Sequence, residues 1–191
     1  MRLKTQFVLI TVIFGALLVA VSVLAVIEGQ RVNQANQEEQ LAGDIARGAD
    51  ELGYLSNDYV VYRGSQQLDR WQTRFASFSE QISNLRTNGP QEGLLANNIR
   101  ADSERMNEVF NGIISAVASF QGAPLDPGVL QASWSQMAVP SQSLASDATR
   151  LSQMAASVAD GTLATRNAIT YALIGLFVLF IKKSAGYPSA C

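Results

Sequence analysis

Three arginines, three tyrosines, a tryptophan and a phenylalanine fall within one short stretch, GYLSNDYVVYRGSQQLDRWQTRF, from Gly53 to Phe75. Arginine presents a planar fork of N–H donors that suits carboxylates and phosphates, and aromatic walls beside it would complete a pocket for a small anion. Arg70 and Arg74 are four residues apart and so share one side of a helix, while Arg63 precedes a glycine and falls in a turn. The candidate binding residues are therefore Tyr59, Tyr62, Arg63, Arg70, Trp71 and Arg74, joined by Trp134 from later in the chain. A second reading stays open. The same aromatic residues could fill the end of a helical hairpin, and Asp58 and Asp69 could neutralise the arginines as surface ion pairs worth little.

Other chemistry finds little support. Histidine is absent, which removes His-based activation of a nucleophile, the commonest zinc arrangements and a phosphoaccepting histidine. The single cysteine is Cys191, so no intrachain disulfide is expected. Acid pairs such as Glu38-Glu39 and Asp50-Glu51 lack partners at ligand spacing, and no glycine-rich loop follows a strand. Residues 28–167 hold ten arginines and all sixteen acids, which argues against nucleic acid as a partner. The expectation is a protein with no enzymatic activity, no cofactor and no metal.

The elements that must position the aromatic stretch are helical. Leu41, Ile45, Gly48, Leu52, Leu55, Tyr59 and Tyr62 step by four and three, a heptad seam, which predicts a first helix over about 28–62. Gly64 suits a left-handed helix end and Ser65 a cap for the next helix. Leu68, Trp71, Phe75, Phe78, Ile82 and Leu85 form the seam of a second helix over about 66–87, which Asn88-Gly89-Pro90 stops. A third helix, about 92–121, carries Leu95, Ile99, Asp102, Met106, Val109, Ile113, Val117 and Phe120, and ends at Gly122-Ala123-Pro124. Asp126-Pro127 opens a fourth, about 127–167, with Leu130, Trp134, Met137, Ser141, Leu144, Ala148, Leu151, Ala155 and Val158 in its seam and Pro140 as an expected kink. Four such helices with short connections predict an all-α fold, an antiparallel up-down-up-down four-helix bundle.

Both ends of the chain are apolar. Residues 7–27 run without a charge, enough to cross a hydrocarbon core, and residues 168–181 form a shorter uncharged run ending on Lys182 and Lys183. Arg2 and Lys4 before the first run, with the two lysines after the second, place both termini inside by the distribution of basic residues. The expected organisation is a cytoplasmic N-terminus over 1–6, transmembrane helices over 7–27 and 168–181 flanking an extracytoplasmic bundle over 28–167, and a cytoplasmic tail over 182–191. That is a two-pass protein of the inner membrane, with the lipid bilayer as a partner. Cleavage of the first run as a signal peptide near Val23-Leu24-Ala25 is the rival reading. In the two-pass arrangement Tyr59, Tyr62, Trp71, Phe120 and Trp134 gather at the membrane-distal end of the bundle.

This order of elements resembles the sensing half of bacterial and archaeal transmembrane receptors, the sensor histidine kinases of two-component systems, the chemoreceptors and related cyclases. DELGYLSNDYVVYRGSQQLDRWQTRF is similar to the first helical hairpin of histidine kinase input domains. The resemblance implies an extracytoplasmic sensory module for signal transduction, acting as a homodimer; its expected partner is a small anionic ligand, on the strength of the arginines, or an extracytoplasmic protein. Such receptors continue into a transmitter domain, whereas IKKSAGYPSAC closes this chain, so the resemblance also implies a truncated or frameshifted receptor. The alternative from a different class is a membrane-anchored helical structural or interaction protein without a small ligand.

Overall fold

A computed structural model describes residues 2–87, 89–119 and 127–185. It contains four helices, α1 (Arg2–Tyr62), α2 (Ser65–Ser83), α3 (Pro90–Ser119) and α4 (Pro127–Ala185), and no strand among the described residues. The expected helix ends at Tyr62 and before Pro127 agree with these bounds. Asn88, Phe120, Gly122-Ala123-Pro124, Asp126 and Cys191 lie outside the described residues, so the expectations placed on them are not addressed.

The turn between α1 and α2 differs from its sequence reading by one residue. Arg63 takes the left-handed conformation (φ 53°), and its N–H donates to the Tyr59 carbonyl at 2.8 Å. Gly64 is extended (φ −89°, ψ 153°) and serves as the N-cap, with no side-chain cap, while Ser65 is already helical. The chain thus turns at the first residue past α1, and Gly64 supplies the carbonyl that receives the Leu68 N–H at 3.2 Å. A non-glycine residue in the left-handed region costs roughly 1–2 kcal/mol. α2 ends at Ser83, four residues earlier than expected, with Asn84 as its C-cap, whose N–H closes on Glu80 and Gln81. Pro90 opens α3 rather than merely stopping α2, because a missing N–H is harmless in the first helical turn.

The chain divides into two compact units, Gln37–Ala156 and a second made of Met1–Asn36 with Ser157–Cys191. The first unit is the bundle, and its core runs through all four helices. Ile45, Leu52, Trp71, Phe78, Ile99, Met106, Phe110 and Leu144 are fully or almost fully buried within it. Cross-helix contacts fix the directions of the helices. Arg74 reaches Glu51 and Arg70 faces Asp58, so residue numbers rise in α1 as they fall in α2. Ser141 donates to the Ala49 carbonyl at 3.0 Å, and Trp134 and Asn57 line the same groove, so α1 and α4 are antiparallel as well. Asn98 of α3 donates to Asp147 of α4 at 3.0 Å. Pro140 sits fully buried inside a continuous α4, where it leaves the Gln136 carbonyl without its usual helical N–H.

The membrane reading requires correction. Among the described residues no helix is long and apolar enough to cross a membrane. The flanking transmembrane helices over 7–27 and 168–181, the two-pass topology and the inner-membrane location are therefore not supported. The apolar runs belong to the long helices α1 and α4. The second run, residues 168–181, covers about 21 Å, short of roughly 30 Å of hydrocarbon.

Candidate functional site

Trp71 is the centre of the aromatic cluster. It is 2% exposed and stacks on Phe110 at 3.7 Å between ring centroids and on Phe75 at 4.9 Å, with interplanar angles of 11° and 7°. Tyr59 tilts against Phe110 at 5.5 Å. The indole N–H donates to the Ser56 hydroxyl at 2.8 Å, and that hydroxyl donates to the Leu52 carbonyl at 2.7 Å. A buried indole N–H needs a partner, and Ser56 supplies one from the facing helix. Tyr59 and Trp71 thus come together inside the core, through Phe110, a residue that the seam reading passes over. Tyr62, by contrast, is 68% exposed at the end of α1.

The arginines face the other way, into a shallow groove between α1 and α2. Glu51, Leu55, Gln66, Asp69, Thr73 and Ser77 line it together with Arg70 and Arg74. Arg74 is held by Glu51 at 2.6 Å, and Arg70 lies 3.8 Å from Asp58. Each arginine is engaged by a carboxylate, and Asp69 adds a further negative charge, so the groove offers no uncompensated positive field. Arg63 stands apart in the turn. The Arg70 side chain is 58% exposed, and Arg70→Ala is expected to lower stability by about 1 kcal/mol or less. Chemical denaturation checks this, and a larger loss would mean that Asp58 depends on that cation.

A second groove, between α1 and α4, is more enclosed. Its cavity of about 220 Å³ is lined from α1 by Asp50, Gly53, Ser56, Asn57 and Val60, and from α4 by Ser133, Trp134, Met137, Ala138, Ser141 and Gln142, with Ile113 of α3 beneath. The seam opens here because the facing positions are small. Gly53 has no side chain, and serines or alanine stand at 56, 133, 138 and 141 where large apolar residues would close it. Ser56, Ser133 and Ser141 are buried. The Asn57 Oδ1 atom is buried without a hydrogen-bond partner. Asp50, at the lip, has no ion-pair partner, and no basic residue lines the groove.

Trp134 therefore belongs to this groove, half exposed (56%), and not to the packed cluster around Trp71. The two are linked through Ser56, which accepts the Trp71 N–H and also lines the cavity beside Trp134. The sequence reading missed Ser56, Asn57 and Ser133. The available signal was the run of small and polar residues on the α1 and α4 faces at heptad spacing. No group of three or more His, Cys, Asp or Glu side chains that could hold a metal occurs among the described residues. The fold and the groove define a helical-bundle protein with a small, mostly apolar cavity carrying a few polar groups between its first and last helices. No protein-family model, curated protein or solved structure matches the chain.

Proposed function

We propose that the chain is a ligand-responsive sensory module, the input half of a signalling receptor, in which a small molecule held between α1 and α4 changes the relation of those two helices. The observation that carries this reading is the α1–α4 groove, where the buried Asn57 Oδ1 lacks a partner. Pockets that bind small molecules combine an apolar lining with a few placed polar groups, and bundles build them between helices. Val60, Ile113 and Met137 provide the apolar part, and Ser56, Asn57 and Ser133 the polar part. The same two helices are the long ones. α1 and α4 continue past the bundle unit, whose limits are Gln37 and Ala156, whereas α2 and α3 end within it. A ligand that favours one arrangement of α1 against α4 would shift the population of that arrangement by its differential affinity.

A metabolite screen by thermal shift on the full chain tests this, because a ligand of the folded state raises apparent stability. Tyr54 and Thr149 are exposed on α1 and α4, and spin labels placed there through cysteine substitution should report an altered separation when a hit is bound. Stabilisation without a change in separation would leave a binding module rather than a sensor. No stabilising compound across a broad screen would favour a structural or interaction protein.

A further inference from the structure

We infer that the α1–α4 groove takes a small organic amine with a compact apolar body. This inference rests on the reading of that groove as the ligand site. The charged and aromatic groups that line it favour positive charge, and the polar atom left without a partner is an acceptor. Asn57 Oδ1 is a buried acceptor with no partner, and Asp50 is a carboxylate at the lip with no cation paired to it. Trp134 adds an indole, whose π-face attracts ammonium groups more strongly than the rings of Tyr or Phe do. None of the arginines that could draw an anion lines this cavity, and Arg70 and Arg74 lie in the other groove, each already paired. An anion would meet the Asp50 carboxylate with no cationic side chain in the lining to offset it. Beneath the polar groups Val60, Ile113 and Met137 form an apolar floor, and the cavity of about 220 Å³ exceeds the roughly 150 Å³ that accommodates a benzene ring. An ammonium carried on one such ring satisfies the acceptors and fills the floor at the same time.

Three probes that share one ring separate the possibilities, namely benzylamine, benzyl alcohol and benzoate, titrated into the full chain by calorimetry and thermal shift. Benzylamine is expected to bind about tenfold more tightly than either of the others, from its contacts with carboxylate and indole. Asp50→Asn and Trp134→Leu alter exposed residues, so the fold should persist, and each should reduce the preference for the amine. Gly53→Leu should abolish binding of all probes by filling the cavity. Gly53→Ala is the control, because a Cβ there would lie 3.4 Å from Ser141 Oγ, an ordinary contact. Benzoate or benzyl alcohol binding as tightly as benzylamine, and lost in Gly53→Leu, overturns the amine assignment and leaves the groove as a site. Binding that survives Gly53→Leu, or no binding by any probe, overturns the groove itself.

Discussion

Trp71→Ala is expected to remove about 3–5 kcal/mol of folding stability, the range for a large aromatic side chain deleted from a core. The site cannot collapse easily, because the indole is packed on Phe110 and Phe75 and tied to Ser56 of α1. Its loss removes contacts to α1 and α3 at once. Trp71→Phe separates the contributions. It keeps a six-membered ring in the stack but removes the N–H and the bulk of the fused second ring, while Ser56 keeps its own bond to Leu52, so an intermediate cost of about 2 kcal/mol is expected. Urea denaturation followed by far-UV circular dichroism measures both. A loss for Trp71→Ala no larger than that for Trp71→Phe would show that the stack is not the centre of the core.

Gly48→Val should be the second large effect, at about 3 kcal/mol, because a β-branched side chain overpacks a tight contact between α1 and α2. A Cβ at Gly48 would lie 2.7 Å from Phe78 Cδ2 and 2.7 Å from Arg74 Nη2. The arginine can swing away at the cost of its bond to Glu51, but Phe78 is fully buried and has nowhere to go. Gly48→Ala sets two terms against each other. Alanine gains about 1 kcal/mol of helix propensity over glycine, and overpacking costs about 1–3, so a small net loss is expected. Gly112 in α3 has nothing within 4 Å of an added Cβ, and the same exchange there should gain about 0.5–1 kcal/mol. Combining Gly48→Val with Phe78→Leu should recover about 1 kcal/mol through coupling of neighbouring residues. Additive losses in that pair would mean that the clash is relieved elsewhere.

Both effects depend on residues whose burial the sequence indicated only in part, and the pattern of misses has a common cause. In α4 the expected seam residues from Met137 to Ala155 are all buried, but at the ends Ser133 replaces Trp134 and Ala159 replaces Val158. In α3 Ser103 is buried beside Asp102, and Phe110 is buried where Val109 was expected to lead. In α1 Ser56 and Val60 are buried next to Leu55 and Tyr59, while Tyr62 is exposed. A strict heptad assumes 3.5 residues per turn, and an α-helix with 3.6 drifts about 20° per heptad away from it. Away from the centre of each seam the buried line therefore moves one residue outward along the chain. Each bundle helix also faces more than one neighbour, which widens its buried face beyond a two-position seam.

The chain by itself determined that this protein is all-α, where α1 ends and where α4 begins, and most of the core. Periodicity, a glycine and a proline at the breaks, and the absence of histidine are local facts that need no partner to be read. Only the tertiary structure decided which aromatic residues meet and where a ligand could enter. Tyr59, Trp71 and Phe110 come from three helices, and their contact depends on the rotation of each helix about its axis. The α1–α4 groove arises from what is missing, a side chain at Gly53 and bulk at Ser56, Ser133 and Ser141, opposite one another across two antiparallel helices. Small residues leave no hydrophobic signal in a sequence. Their effect appears only when the backbones that carry them are brought face to face.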